Sequence, residues 1–265
     1  MSRKKLIGLI QASVAEQPIN KKFLTDVMMS IERMEFRGRR KPSPWYKPSS
    51  MNCMRNMYFT RIEAQRDEVH REYVNVGMAD TGTRRHEAIQ DVLLFMNETS
   101  DWEYIDVAAY VEKKQAEGKC RSLVVKGRAG AETHLIDKAL CLSFRCDGIL
   151  KYKPTSEYFL FEFKNQASFK YMGKVAVDKE HHNQVVCYCT ALDLDKALVL
   201  YENRDVCSLE CPELFIVTDD MKNKLIADIM ECEQYVSKLI PPAKCENTKA
   251  CRWCDYKSAC KKVGY

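Results

Sequence analysis

Two carboxylates and an ammonium group stand close together on a stretch of otherwise apolar sequence. They are Asp147 in Phe144-Arg145-Cys146-Asp147-Gly148-Ile149-Leu150, and Glu162 and Lys164 at the end of Glu157-Tyr158-Phe159-Leu160-Phe161-Glu162-Phe163-Lys164. A turn at Lys153-Pro154-Thr155-Ser156 separates the two runs, which read as the strands of a hairpin. Side chains alternate across a strand. Phe159, Phe161 and Phe163 therefore share one face, and Leu160, Glu162 and Lys164 share the other. Charged groups on an apolar strand are costly to bury unless something pairs with them. A divalent cation held by Asp147 and Glu162, with Lys164 facing a phosphate, is one answer, and a solvated strand face is the other. Asp…Glu-x-Lys is too short a pattern to choose between them.

Three further residues suit the first answer. Gln184 and Tyr188 lie four apart in a helical stretch and so face the same way. They could touch a substrate strand or position Lys164. His86, on an amphipathic stretch, offers a nitrogen ligand, which favours Mn²⁺ somewhat over Mg²⁺. Taken one at a time, these are ordinary helix residues. His181 and His182 open the Gln184 helix and read as exposed, with no role assigned.

The elements that must position these groups follow from the pattern. Phe23, Leu24, Val27, Met28 and Ile31 recur at helical spacing over residues 20–36. A Pro- and Ser-rich connection then runs to Ser50. Helices are expected from Cys53 to about Val74, from Thr83 to Asn97 and from Asp178 to Leu192. A further helix is expected from Asp219 to Leu239, capped by Thr218 or Asp219 and stopped by Pro241-Pro242. Residues 104–164 look β-rich, with Ser122–Lys126 a strand, and Lys196–Glu202 and Leu214–Thr218 read as strands. The order gives an α/β protein with a mixed sheet flanked by helices, a helical N-terminal part and a small Cys-rich C-terminal cap. The expected divisions are 1–48, 49–240 and 241–265.

At 265 residues, with 46% hydrophobic and 30% charged side chains, the composition is that of an ordinary globular chain. No apolar run approaches the ~18 residues of a membrane span. The N-terminal stretch is basic and then apolar, and Gln11 ends it too early for a signal-peptide core. A cytoplasmic protein is expected. Thirteen cysteines without such a signal argue against a disulfide scaffold. The net charge of +5 is uneven: residues 1–50 hold eleven Lys and Arg against four Asp and Glu. Residues 244–265 hold six against two. Acidic residues in the middle suit metal ligation, and basic flanks suit a polyanion. Arg37, Arg39, Arg40 and Lys41 are candidate phosphate contacts, a sequence-independent attraction that weakens with salt. They also read as a solvated face. Trp45 and Tyr46 could stack on unpaired bases, but read better as core.

Four cysteines near the C-terminus stand apart from the rest. Cys251-x2-Cys254 is followed by Cys260 and preceded by Cys245, each six residues away. A C-x2-C turn lets two thiolates converge on one metal or cluster. The fourth ligand could be local, Cys245, which would suit tetrahedral zinc. It could instead be Cys53, which would clamp the two ends of the domain together.

In this order the motifs resemble the iron–sulfur nucleases of the PD-(D/E)XK superfamily. These are the CRISPR-associated four-cysteine exonucleases, the nuclease domain of the AddB helicase subunit and related phage exonucleases. The matching residues are Pro48-Ser49-Ser50-x2-Cys53-x-Arg55-x2-Tyr58-Phe59, Gly82-Thr83-Arg84-Arg85-His86, Asp147, Glu162/Lys164, Gln184-x3-Tyr188 and Cys251-x2-Cys254-x5-Cys260. Each is weak alone; six in the family's order, spanning Pro48 to Cys260, is specific. The departures are Cys146 where a proline often precedes the aspartate, and Cys245 as an extra cysteine. No G-x4-G-K-[ST] run occurs, so a stand-alone nuclease is expected rather than a helicase-fused one.

The resemblance implies a restriction-endonuclease-like fold and a metal-dependent DNA exonuclease. One or two Mg²⁺ or Mn²⁺ ions would be bound by His86, Asp147, Glu162 and the Phe163 main-chain carbonyl. Lys164, Gln184 and Tyr188 complete the implied catalytic set. A structural [4Fe–4S] cluster would sit on Cys53, Cys251, Cys254 and Cys260, with Cys245 as the alternative fourth ligand. Arg55 joins the implied DNA contacts. The partners would be linear or single-stranded DNA and a helicase, recombinase or similar protein, in the cytoplasm of a bacterial or phage-infected cell. Two other readings stay open: a structure-specific or single-strand endonuclease on the same scaffold, and a catalytically idle DNA-binding module carrying Fe–S or Zn.

Overall fold

The computed structural model describes residues 18–35, 41–67, 72–126, 132–246, 251 and 254–264. The elements in chain order are α1 (Ile19–Glu35), a short 3₁₀ turn (Pro48–Ser50), α2 (Met54–Arg61), α3 (Tyr73–Thr99), β1 (Trp102–Ile105) and α4 (Val107–Ala116). There follow β2 (Leu123–Lys126), β3 (Thr133–Asp137), β4 (Leu142–Cys146), β5 (Gly148–Tyr152), β6 (Glu157–Gln166) and α5 (Ser168–Tyr171). The last are α6 (Lys179–Leu192), β7 (Lys196–Asn203), β8 (Leu209–Glu210), β9 (Leu214–Ile216), α7 (Asp219–Lys238) and α8 (Lys257–Lys262). The chain is a mixed α/β protein. It divides into two compact units: the smaller holds α1 and α3 as far as Thr81, and the larger holds Lys41–Asp67 and Gly82–Tyr265. In the smaller unit, Glu32 accepts the Tyr73 backbone N–H at 3.1 Å. No helix among the described residues is long and apolar enough to cross a membrane.

The larger unit is built on a six-stranded sheet of order β1-β5-β6-β7-β8, with β9 also pairing β7. Only β6 and β7 run parallel; the other pairs are antiparallel. The expected hairpin is β5 and β6, with Gly148 opposite Phe161 and Ile149 opposite Leu160. A separate antiparallel sheet runs β2-β3-β4. Asp147 is the one residue between β4 and β5, where the chain leaves one sheet for the other.

The period-two alternation of β6 has the physical result expected of it. Leu160 packs with Ala197, Val199 and Tyr201 of β7 and with Val185, Val186 and Leu192 of α6 in the main core. Phe159, Phe161 and Phe163 pack on the opposite side with Leu150, Tyr104 and, from α3, Ile89 and Leu93. Both faces are covered, so β6 is apolar on both, as central strands are. Glu162 and Lys164 thus project into the crowded side beneath α6.

Four expected elements differ. The helix expected from Cys53 to about Val74 is only α2, because Glu63 turns left-handed at φ 52° and Ala64 N–H closes back on Phe59 O at 2.9 Å. The helix expected from Thr83 begins ten residues earlier, at Tyr73, since Gly77 and Gly82 weaken a helix without ending it. Within the β-rich stretch, Val107, Tyr110 and Val111 bury one helical stripe, and Asp106 caps it by accepting the Ala108 N–H at 3.1 Å. Finally, Leu214–Thr218 is a strand only as far as Ile216, because Thr218 is the α7 cap and accepts the Met221 N–H at 3.3 Å. Tyr46 is core, 1% exposed, as expected. Residues 1–17 lie outside the described residues.

Candidate active site

Asp147 is held from three sides. Its Oδ2 accepts the Phe163 N–H at 2.9 Å, across the hairpin. Its main-chain carbonyl accepts the Tyr104 hydroxyl at 2.7 Å and the Gln90 amide at 3.3 Å. Tyr104 reaches this carbonyl because its ring lies against Gly148: a β-carbon there would meet Tyr104 Cε2 at 2.2 Å. Glycine is needed here for close approach, not for an unusual backbone angle.

His86, on α3, brings Nδ1 to 3.3 Å from Asp147 Oδ2 and sets its ring edge-on to Phe163, centroids 4.9 Å apart. Burial would lower the pKa of His86. The hydrogen bond and charge of Asp147, with Glu162 behind it, outweigh that and leave it raised. The helix is fixed one residue earlier, where Arg85 pairs in a fork with the buried carboxylate of Glu202 on β7. Glu202 also accepts Asn165 Nδ2 at 2.7 Å.

Glu162 is 2% exposed. Its Oε1 takes Lys164 Nζ at 2.5 Å and Gln184 Nε2 at 2.8 Å. Its Oε2 is buried with no hydrogen-bond partner. Burial first, and the nearby charge of Asp147 second, push its pKa up to about 7. Gln184 joins three groups: its Oε1 accepts Lys164 at 3.0 Å, while Nε2 also donates to the Tyr188 hydroxyl at 2.8 Å. Tyr188 is buried, stacks on Phe144 at 5.0 Å, and is held un-ionised by that burial. The helical spacing of Gln184 and Tyr188 thus puts both on the face that meets Glu162 and Lys164.

His86, Asp147 and Glu162 do not close into a tight cage. Two buried carboxylates repel, and each is turned to its own donor. The one group of three among the described residues with ligand atoms within 4.8 Å of one another is Asp178, Glu180 and His181. Lys174 Nζ already lies 2.7 Å from both Asp178 oxygens, so that cluster carries its own cation. His181 and His182 are not exposed as expected. His181 meets the Tyr201 hydroxyl at 3.0 Å and His182 meets the Val177 carbonyl at 3.0 Å. Burial, then the charge of Lys164, pulls His181 down to about 4.

The cysteines of both quartets gather around the first turn of α2. Cys53 is its N-cap residue. Cys245 faces the Asn52 carbonyl at 3.7 Å and hydrogen-bonds the Cys53 thiol. Asn56 Nδ2 donates to Cys254 Sγ at 3.4 Å, and Cys254 N–H meets the Cys251 carbonyl at 3.3 Å. Arg55 Nη1 donates to Cys260 Sγ at 3.2 Å. Burial raises the pKa of the thiols of Cys53, to about 11, and of Cys254.

Arg55 corrects an expectation. It is 7% exposed and spends its donors on Cys260, Pro242 O at 3.0 Å and Gly264 O at 3.0 Å. It pins the tail rather than meeting DNA. Lys41 is exposed, while Arg37, Arg39 and Arg40 lie outside the described residues. Sequence reasoning missed Tyr104, Gln90 and Asn56. No local pattern marks them, because their partners lie 43, 57 and 198 residues away.

The chain matches no protein-family model and no curated protein. Among solved structures it is similar to one described as the crystal structure of SSO0001. The identity is 14%, with 89% of this chain and 96% of that chain covered, at a TM-score of 0.46.

Proposed function

We propose that the chain is a metal-dependent nuclease that removes nucleotides from DNA ends, on a restriction-endonuclease-like core tied by an iron–sulfur cluster. One observation carries the reading: Glu162 is buried beside Asp147 and keeps Oε2 without a partner. A buried carboxylate oxygen left so is costly. A hard divalent cation, which takes oxygen ligands, satisfies it together with Asp147. The imidazole of His86 and the Phe163 carbonyl complete the set that would hold it.

Bound Mg²⁺ or Mn²⁺ supplies polarisation of the phosphate and a water of lowered pKa. The chain's own residues do the rest. The Phe163 N–H and the clamp on the Asp147 main chain fix one carboxylate at the strand end. Lys164 places an ammonium within reach of Glu162, where it can neutralise charge on a phosphate or orient the attacking water. Gln184, steadied by Tyr188, holds Lys164 and Glu162 in register. Cys53, Cys251, Cys254 and Cys260 would hold the [4Fe–4S] cluster. The convergence of these thiols on α2, with Arg55 and Asn56 donating to two sulfurs, supports such a group.

The test is digestion of linear against circular DNA in Mg²⁺ or Mn²⁺. Loss of linear DNA alone supports the exonuclease. Nicking of circles moves the reading to an endonuclease, and binding without cleavage to a DNA-binding module. The visible spectrum and iron content of anaerobically purified protein test the cluster.

A further inference from the structure

Arg55 is a buried cation for which the described residues hold no carboxylate partner. It sits in the first turn of α2 and is 7% exposed. Its Nε bonds Pro242 O at 3.0 Å, and its Nη1 bonds Gly264 O at 3.0 Å and Cys260 Sγ at 3.2 Å. Two carbonyls and a thiol satisfy N–H groups without supplying negative charge. A buried charge is costly unless a counter-charge meets it. The other buried arginine, Arg66, has one in Asp255, at 3.9 Å.

The charges around Arg55 leave this need standing. Asp255 faces Arg66, and Asp67 Oδ2 accepts the Ser258 N–H at 3.0 Å. Glu246, Lys244 and the α8 lysines Lys257, Lys261 and Lys262 are exposed, where salt and water screen them. What lies within reach is sulfur. Cys260 Sγ accepts from Arg55 itself. Cys254 Sγ accepts Asn56 Nδ2 and the Tyr256 N–H, both at 3.4 Å. Cys53 stands two residues before Arg55. Four thiolates outweigh the positive charge of an iron–sulfur core, so a centre on these cysteines is an anion.

We infer that Arg55 is the built-in counter-charge of the four-cysteine centre and sets its electron affinity, favouring the reduced state. This rests on the cluster part of the reading above. Reduction adds one electron, and so one negative charge, to iron. No bond forms or breaks, and the guanidinium keeps its proton throughout. Arg55 therefore attracts the reduced state more than the oxidised one, through a bond to a ligand sulfur in a water-poor interior. Asn56 and the Tyr256 N–H act in the same sense, more weakly, because they are neutral donors. The centre is thereby suited to exchanging an electron as well as to closing the chain.

The experiment is a titration of the anaerobically purified full chain with dithionite and mediator dyes. Visible absorbance and electron paramagnetic resonance follow the reduction. Arg55→Gln keeps a donor and removes the charge. It should lower the equilibrium constant for one-electron reduction at least about tenfold, a downward shift of about 59 mV. Arg55→Lys keeps the charge and should show less than half that shift. Asn56→Ala should move the potential less than Arg55→Gln does.

A smaller shift in Arg55→Gln, or an equal one in Arg55→Lys, overturns the inference. So does an unsubstituted centre that dithionite cannot reduce. Where Arg55→Gln holds no iron, iron content decides instead. Recovery of iron in Arg55→Lys supports the counter-charge, and loss in both overturns it, since the fork then acts through shape alone. The two readings fail separately: zinc without iron in the unsubstituted chain sinks the cluster and this inference with it, whereas bound iron with an unmoved potential sinks the inference alone.

Discussion

The main-chain N–H of Phe163 donates to Asp147 Oδ2 at 2.9 Å, so one candidate metal ligand is oriented by the residue next to the other. This bond crosses the β5–β6 hairpin at its open end. It makes the position of Asp147 a property of the strand pairing rather than of a loop.

Asp147→Asn should keep that bond, because an amide oxygen can still accept, while losing the anionic ligand. Cleavage should fall at least 100-fold with little change in melting temperature. Asp147→Ala should lose cleavage as well, and strand a buried N–H at a cost of about 1–3 kcal/mol. Nuclease assays with thermal unfolding of both variants decide it. Asparagine within tenfold of the unsubstituted rate in Mg²⁺ would sink the ligand assignment.

Much of this hairpin was legible from alternation alone. Phe159, Phe161 and Phe163 fell on one face and Leu160, Glu162 and Lys164 on the other because a strand has period two and both faces here are apolar. The role of Arg55 was not legible. Its partners, Pro242, Cys260 and Gly264, lie about two hundred residues away, and a lone arginine in a basic chain looks like a surface charge. The same holds for Tyr104, whose hydroxyl clamps a carbonyl that no periodicity reveals. The α2 end was hidden for a local reason: Glu63 takes a left-handed angle without the glycine that usually announces one.

Arg85 and Glu202 give a second prediction. Glu202 is 1% exposed, and Arg85 supplies its counter-charge. Arg85→Ala leaves a buried carboxylate with Asn165 as its remaining donor in this network, and should cost about 1–3 kcal/mol in chemical denaturation, since the partly exposed arginine leaves room for water in its place. Adding Glu202→Gln should recover most of that loss, since the stranded charge is gone. If the double variant is no more stable than the single one, the penalty does not lie in the unpaired charge.

His181 sets a pH dependence. Its folded pKa, about 4, lies below the ordinary 6.5, because burial and then Lys164 and Lys174 oppose the charged ring more than Asp178 and Glu180 favour it. The unfolded chain therefore takes up a proton first as pH falls. Stability from the neutral ring is full above about 6.5 and drains away down to about 4, on the order of 3 kcal/mol in all. His181→Asn, which does not titrate, should flatten that part of the stability profile. An unchanged slope between pH 6.5 and 4 would count against a buried neutral His181.

The cysteines give the last prediction, and the structure sharpens it. Cys53 and Cys245 are in hydrogen-bonding contact, so either could complete a quartet with Cys251, Cys254 and Cys260. The two choices differ in what they tie together. A ligand at residue 53 closes a loop of about two hundred residues onto α2, which carries Arg55 and Asn56, the donors to two other sulfurs. A ligand at residue 245 ties the tail only to itself. Loop-closure entropy grows with loop length, and metal binding free energy becomes folding free energy when the unfolded chain lacks the site. Cys53→Ser should therefore lose iron, colour and thermal stability together, while Cys245→Ser keeps all three. Iron analysis, visible absorbance and melting temperature of the two variants separate the cases. Bleaching by Cys245→Ser with Cys53→Ser unaffected would make the quartet local, and one zinc with no iron in the unsubstituted protein would overturn the cluster whichever thiols bind.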